Sequence, residues 1–239
     1  MRFGRVVVPG SPHHVLQRGN RKENVFYDDS DRLVYLRLAR DACELHRVFV
    51  WTYTLMDNHV HIIAVPERND SLGKAMKAAH GEYSSYFNTK YGLVGHVWQG
   101  RFKSFVMEES HCWNAIRYVE LNPVRAGVVV RAEDYLWSSA AAHCGLRGDI
   151  LLSGDCPLVK EIRNWSEWLK IDNPVGADDL IRRHTRTGRP LGSELFLSGL
   201  EILTGRKLLP QKRGPRPRPK SPADQIEEMK TSKPGKLFG

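Results

Sequence analysis

Residues 48–66 read VFVWTYTLMDNHVHIIAVP, two apolar runs on either side of the polar pair Asp57-Asn58. Runs rich in β-branched and aromatic residues favour strands, and a polar pair between two such runs is typical of a β-hairpin turn. Because side chains alternate between the faces of a strand, His59 and His61 are predicted to share one face while Val60 and Ile62 point into the core. The hairpin therefore predicts two neighbouring imidazoles on one face of a sheet.

The segments around this hairpin indicate strands interleaved with helices. Candidate N-caps and the bias of a residue before proline against helical geometry set the expected helix ends. We expect a strand at 13–19 (HHVLQRG), a helix at about 28–47, a helix from Ser71 to about Tyr91, a strand or ribbon at 96–107, and a helix from about Glu109 that stops at Asn122 before Pro123. This pattern predicts an α+β sandwich with an antiparallel sheet.

Beyond about residue 150 the pattern changes to short helix-like stretches. Trp165 and Trp168 lie in one, residues 178–184 form a second, and Ser193 is a candidate cap of a third that runs to Leu203. From Pro210 onward the sequence is basic and of low complexity, a composition typical of disorder. We therefore divide the chain into a catalytic domain at 1–150, a helical basic region at 151–209 and a basic, disordered tail at 210–239.

The net charge of +9 is confined to the C-terminal quarter of the chain. Residues 181–239 hold 14 Lys and Arg against five Asp and Glu, whereas residues 1–180 hold 22 of each. Such a basic segment indicates a polyanionic partner, with nucleic acid the commonest, although a merely solubilising tail has the same composition. We expect residues 181–220 to add DNA affinity without chemistry; the alternative is that this region folds over the active site through Leu195, Phe196 and Leu200.

The overall composition is that of a globular protein of the cytoplasm. The chain is 41% hydrophobic and 26% charged, and it has neither a signal peptide nor an apolar run long enough for a membrane span. Its four cysteines show no CxxC pair, which argues against a zinc knuckle or a disulfide framework. We expect a cytoplasmic, nucleoid-associated protein with no membrane partner and no nucleotide cofactor, either a monomer or a homodimer.

Tyr118 and Asn122 are four residues apart in AIRYVELNPVRAG (115–127), so on a helix they share one face. A carboxamide oxygen is a hard ligand suited to Mg²⁺ or Mn²⁺, and two imidazoles with one carboxamide leave coordination positions open for phosphate oxygens. Tyr27 and Tyr53 also precede an acidic residue at the same spacing, but one falls in a turn and the other in a strand. A buried tyrosine with a capping asparagine remains the structural alternative.

Two further segments combine features of nucleic-acid binding. In HVWQGRFKSF (96–105) the cations Arg101 and Lys103 alternate with Trp98 and Phe102, and aromatic faces with cations are the means of holding single strands. An aromatic core face would give the same pattern. A basic loop, RGNRK (18–22), supplies Arg18, Arg21 and Lys22, and the proline- and glycine-flanked arginines of TGRPLG and RGPRPRP supply Arg189 and Arg213.

Taken together, the blocks PHHVLQRGNRKENVF, LMDNHVHII, GHVWQGRFKS, YVELNPVRAG, WSS and TGRPLG resemble the REP-associated tyrosine transposases, which are single-tyrosine enzymes of the His-hydrophobe-His nuclease superfamily. The resemblance spans about residues 9–213. It implies a ferredoxin-like antiparallel sheet flanked by helices, with His59, His61 and Asn122 binding the metal and Tyr118 attacking DNA. It also implies single-stranded repetitive extragenic palindromes, folded into hairpins, as the substrate.

These features predict a metal-dependent endonuclease and strand-transferase that works through a 5′-phosphotyrosine. A phenol is mostly protonated at neutral pH, and His80, Lys103 and Glu120 are all candidates to take its proton. The main alternative is a catalytically silent, hairpin-binding regulator derived from a transposase. A zinc hydrolase would need a water-activating acid beside the histidines, and the adjacent Asp57 falls in the turn.

Overall fold

Four strands form one antiparallel sheet in the computed structural model, which describes residues 4–209. The strands are β1 (His13–Arg18), β2 (Val48–Met56), β3 (His59–Pro66) and β4 (Lys103–Val106), in the spatial order β2-β3-β1-β4. Helix α1 (Asp29–His46) joins β1 to β2, and α2 (Ser71–Tyr91) joins β3 to β4. This βαββαβ connection is the ferredoxin-like arrangement, and it confirms the predicted fold class.

Helices α1 and α2 cover one face of the sheet. A capping box begins α1, since the Asp28 carboxylate accepts from the backbone N–H of Asp31 and the Asp31 carboxylate accepts from that of Asp28. Lys90, near the end of α2, forms ion pairs with both carboxylates and so ties the two helices together. The core beneath them includes Val15, Tyr35, Tyr53, Leu55, Val60, Ile62, Leu72, Met76 and Tyr83. Val60 and Ile62 face this core, as predicted.

The opposite face of the sheet carries α3 (Glu109–Glu120) and the short α4 (Asn122–Arg125). Their core contains Ile63 and Phe105 from the sheet and Ile116 and Val119 from α3. The following chain packs on this second core through four further helices: α5 (Ala140–His143), α6 (Pro157–Glu161), α7 (Trp165–Leu169) and α8 (Ala177–Thr187). The last helix, α9 (Glu194–Thr204), packs in a third, smaller core. Ser193 caps α9 by accepting from the backbone N–H of Phe196, as its sequence predicts.

Two predicted elements are wrong in their limits. Of the strand expected at 96–107, only 103–106 is β4; residues before it form a loop in which Trp98 makes a single bridge to Gly19. The helix expected to stop at Asn122 ends at Glu120 instead, and α4 begins at Asn122 itself. Pro123 then lies in the first turn of α4, where its missing N–H costs no hydrogen bond.

The chain up to Leu208 forms one compact unit, in which residues 151–208 are packed with the rest. Ile181 and Leu191 are buried in the second core, and Leu200 and Leu208 pack against Val6 in a third, smaller core. The domain boundary predicted near residue 150 therefore stays a functional prediction, because the packing shows no separation there. The tail at 210–239, with Arg213, lies outside the described residues. Within 4–209, no helix combines the length and the hydropathy that a membrane crossing requires.

Candidate active site

His59 and His61 lie on the sheet face that α3 covers, with their ring centroids 5.0 Å apart. His61 is buried and His59 is half-buried at the end of β3, opposite Arg18 of β1. Burial, assisted by the Arg18 charge, lowers the pKa of His59 to about 4, and burial lowers the pKa of His61 well below its usual value. Both rings are therefore neutral at pH 7, which is the form that binds a metal.

Tyr118 of α3 lies against the second of these histidines. Its ring meets His61 edge-on, with centroids 5.9 Å apart, and only 8% of its surface is exposed. Two guanidinium groups border the same ring, that of Arg125 at 4.3 Å and that of Arg182 at 5.9 Å from its centroid. Arg125 also donates to the Tyr118 carbonyl, which ties α4 back onto α3. A phenol, an imidazole pair and two cations thus meet at one place.

Asn122 is the first residue of α4, four positions after Tyr118. Its side-chain amide has no hydrogen-bond partner within the part of the chain that the structure describes. Over that same part, His, Cys, Asp and Glu side chains nowhere gather in a group of three that could hold a metal ion. Two neutral imidazoles and a carboxamide oxygen would suit a hard metal with open positions, and a set of His59, His61 and Asn122 stays a prediction from the sequence.

The aromatic residues predicted to stack bases are buried. Trp98 packs in the α1/α2 core and donates through its indole N–H to the His80 carbonyl. Phe102 is also buried and carries the Arg5 guanidinium 3.9 Å from its ring centroid. These contacts favour the aromatic core face, the structural alternative for this segment, over a stacking platform.

Five of the predicted cations are exposed, at three places. Arg21 and Lys22 form the turn after β1, at the end of the sheet that carries His59, and both adopt left-handed backbone geometry. Arg101 and Lys103 line a cavity of about 160 Å³ together with Arg5 and Arg186. Arg189, beyond the end of α8, is exposed, and its carbonyl accepts from the His184 ring.

Of the three candidates for the phenolic proton, two are held elsewhere. His80 is a buried residue of α2, on the other face of the sheet, and is hydrogen-bonded to the Tyr35 hydroxyl. Glu120 is fully buried and accepts from four groups: Thr52, Ser139, His143 and Trp165. Lys103 is exposed on β4 and lies on the face of the sheet that bears the histidines.

Residues 8–122 match a sequence model of the IS200-like transposase family. Over these 115 of the 239 residues the chain is similar to the IS200-like transposases. The matched residues include both histidines, Tyr118 and Asn122, and the family resemblance drawn from the sequence is confirmed. A comparison with curated proteins found no relative.

Two solved structures were compared with the fold of this domain. A REP-associated tyrosine transposase bound to a REP hairpin superposes with a TM-score of 0.50 at 17% identity, over 65% of this chain and 92% of the other. A Deinococcus radiodurans protein assigned as a transposase gives a TM-score of 0.36 at 16% identity, over 50% of this chain and 96% of the other. The first similarity supports the ferredoxin-like fold, and the second is too weak to add to it.

Four residues of the site were missed by sequence reasoning: His14, Arg125, Arg182 and Thr185. His14 carried a usable signal, because strand alternation in HHVLQR places it on one face with Arg18, as it places His59 with His61. Arg125 lies in the segment YVELNPVRAG, whose pattern indicated roles for Tyr118 and Asn122 but none for Arg125. Arg182 and Thr185 carried no local signal, since they reach the site only through the packing of α8 against α3 and the sheet.

Proposed function

We propose that this transposase domain cuts and rejoins single-stranded DNA through a 5′-phosphotyrosine on Tyr118. The observation that carries the proposal is the edge-on packing of Tyr118 against His61, with Arg125 and Arg182 at the same ring. A structural tyrosine would gain only cation–π contacts from these guanidinium groups, which also pair with Asp178 and Asp179 of α8. A nucleophile that attacks a phosphodiester does gain, because both cations offset the charge of the phosphate.

In the proposed reaction the Tyr118 Oη attacks the scissile phosphorus, and the bond from phosphorus to the 3′ oxygen breaks. The phenol loses one proton and the departing 3′ oxygen gains one, so the step is balanced without ATP. A bound Mg²⁺ or Mn²⁺ would polarise the phosphate and stabilise the leaving oxygen. His59, His61 and Asn122 would hold that ion, while Arg125 and Arg182 bind the phosphate and fix its orientation. Reversal by a second 3′-OH completes strand transfer.

We propose hairpin-forming DNA, such as a repetitive extragenic palindrome, as the substrate. The solved transposase with this fold is bound to a REP hairpin, which supports that choice. A basic path on this chain supports it independently. Arg182 at Tyr118 and Arg186 at the 160 Å³ cavity are four residues apart on α8 and so lie on one side of the helix, and Lys103 and Arg101 continue the line of cations. This spacing suits successive phosphates of one strand.

The decisive experiment incubates the full chain and a labelled single-stranded hairpin with Mn²⁺ and separates the products on denaturing gels. We expect a covalent protein–DNA adduct from the unaltered chain and none from Tyr118→Phe, with hairpin affinity retained. Tyr27→Phe is the matched control, because that ring is exposed over α2. Undiminished adduct from Tyr118→Phe would overturn the nucleophile, and binding without any adduct from the unaltered chain would favour the silent regulator.

The same assay tests the metal. Chelator should abolish the adduct, and His59→Ala or His61→Ala should lower the cleavage rate by several orders of magnitude, because the ion supplies the main stabilisation of developing charge. Full cleavage in chelator would remove the metal from the proposal while leaving the tyrosine in it.

A further inference from the structure

Two short chains of hydrogen bonds end on the two histidines of the site, and each one determines which ring nitrogen of its histidine carries the proton. The first runs from the Ile181 carbonyl through Thr185 and His14 to His61. The second runs from the Lys22 carbonyl through Asn58 to His59. The direction of each chain follows from the donors and acceptors of its members.

In the first chain the Thr185 hydroxyl has a single proton, and it donates that proton to the Ile181 carbonyl at 2.8 Å, one turn back in α8. The Thr185 Oγ1 can then only accept from His14 Nδ1, which lies 3.1 Å away. A neutral imidazole has one N–H, so His14 Nε2 is an acceptor, and it receives the proton of His61 Nδ1 at 2.8 Å. His61 is left with a lone pair on Nε2.

The second chain gives the same result at His59. The Asn58 amide nitrogen donates to the Lys22 carbonyl at 3.1 Å, which turns the Asn58 carbonyl oxygen toward the histidine. That oxygen can only accept, and His59 Nδ1 lies 2.6 Å from it. His59 therefore carries its proton on Nδ1 and also has its lone pair on Nε2.

We infer that Thr185 and His14 are positioning residues that set His61 in the Nδ1–H tautomer, and that Asn58 does the same for His59. Both Nε2 lone pairs are thereby ready to bind a divalent cation before the ion arrives. The consequence of the inference, that the two histidines bind a cation, rests on the proposed metal-dependent function. The tautomers themselves are a property of the metal-free protein. It also joins α8, far along the chain, to His61.

The reverse direction of the first chain has a distinct chemical outcome. If Thr185 donated to His14 Nδ1 instead, His14 would donate to His61 Nδ1, and the only proton of His61 would then occupy Nε2. That tautomer could not bind a metal through Nε2. Outer-sphere partners that fix a ligand histidine in this way typically contribute 10–100-fold to metal affinity.

The test uses the full chain labelled with ¹⁵N-histidine, without metal, at pH 7.5, where long-range ¹H–¹⁵N spectra identify the protonated nitrogen of each ring. We expect Nδ1–H for His14, His59 and His61. Thr185→Val removes the acceptor while keeping the side-chain shape, so His14 and His61 should move toward Nε2–H while His59 stays unchanged. Thr185→Ser restores the hydroxyl and the original pattern. Thr187→Val is the matched control, since that exposed hydroxyl also bonds back along α8.

Mn²⁺ affinity, followed by electron paramagnetic resonance, supplies the second measurement. We expect about tenfold weaker binding for Thr185→Val and less than threefold change for Thr185→Ser and Thr187→Val. Nε2–H on His61 of the unaltered chain, or Thr185→Val with unchanged tautomers, would overturn the inference even where Mn²⁺ binds. Absence of Mn²⁺ binding together with Nδ1–H tautomers would instead overturn the metal in the proposed function and leave the hydrogen-bond chains established.

Discussion

Tyr118, the central residue of the site, is surrounded by groups from three separate elements: His61 of β3, Arg125 of α4 and Arg182 of α8. Its spacing to Asn122 and the alternation of His59 and His61 follow from local geometry, because helix and strand periodicity fix which side chains share a face. The two guanidinium groups at its ring do not follow in the same way. Arg125 is close in sequence but belongs to α4, after α3 has ended, and Arg182 comes from α8.

The proposed role of Arg182 can be tested by comparing its substitution with that of the neighbouring Arg183. Arg182→Ala should slow single-turnover cleavage at saturating hairpin by about 100-fold, the loss typical of one group that stabilises charge in the transition state. Arg183→Ala, one position along the same exposed helix, should stay within about threefold. Equal losses in the two variants would mean that α8 contributes only general positive charge.

Helix α3 shows why single elements were easier to predict than their ends. The capping residues, the hairpin turn and the apolar patterns correctly indicated α1, α2, α9 and three of the four strands. At the end of α3, Glu120 binds Ser139 and Trp165 from remote segments, contacts that no local pattern indicates. A strand was wrongly predicted at 96–102, where Trp98 is buried under α2 and tertiary packing outweighed the strand propensity of the segment.

The Glu120 network gives a prediction for the anchoring of α3. Burial by itself raises the pKa of this carboxyl, but the His143 charge and the hydrogen bonds from His143, Ser139 and Trp165 lower it overall. Glu120→Gln removes the buried charge that these donors need and should lower the free energy of unfolding by about 3 kcal/mol at pH 7. Urea unfolding measures the loss, with exposed Glu161→Gln as the control. A loss below about 1 kcal/mol would contradict this role.

The stabilising effect of that carboxylate should also depend on pH. A lowered folded-state pKa contributes stability above the ordinary value of 4.5, and the contribution is lost as the pH falls below it. The difference in unfolding free energy between the unaltered chain and Glu120→Gln should therefore shrink below pH 4.5, where the comparison remains measurable. A constant difference down to pH 3 would contradict the account.

For the whole molecule, buried histidines outside the proposed metal site predict sensitivity to mild acid. Burial lowers the pKa of His13 to about 4 and that of His80 to about 3, so both are neutral when folded and take up a proton on unfolding below pH 6.5. For each of these histidines, the free energy of unfolding should fall by about 1.4 kcal/mol per pH unit as the pH drops from 6.5 to the pKa in the folded protein. The melting temperature should fall steeply from pH 7.5 to pH 5. It should fall less in His80→Gln than in the control His96→Gln, which changes an exposed histidine. A flat profile would contradict the burial of these rings.

The C-terminal region is where the structure changes an expectation drawn from composition. Charge alone predicted that a chain ending near residue 180 would still cleave within about tenfold of full length. That chain would lose Arg182, Thr185 and the buried Ile181, Leu191 and Leu200, so we now expect cleavage to collapse. A chain ending at residue 209 keeps all of these contacts and should cleave at the full-length rate.

The tail itself should act through salt-dependent affinity. Residues 210–239 hold eight Lys and Arg against three Asp and Glu. If about five of these cations meet phosphates, log affinity for single strands should fall with log salt about 3.5 units more steeply for full length than for the chain ending at 209. Equal slopes would exclude the tail from DNA binding, and full activity of the chain ending at 180 would exclude α8 from the site.

The central claim is that Tyr118 becomes covalently attached to DNA. The most direct measurement is mass spectrometry of the trapped adduct after digestion of the protein and of the DNA to its first nucleotides. We expect a nucleotide mass on the peptide containing Tyr118, attached through its 5′-phosphate and formed only with Mg²⁺ or Mn²⁺ present. The same mass on a peptide containing Tyr27 or Tyr53, or cleaved hairpin with no nucleotide on any peptide, would contradict it.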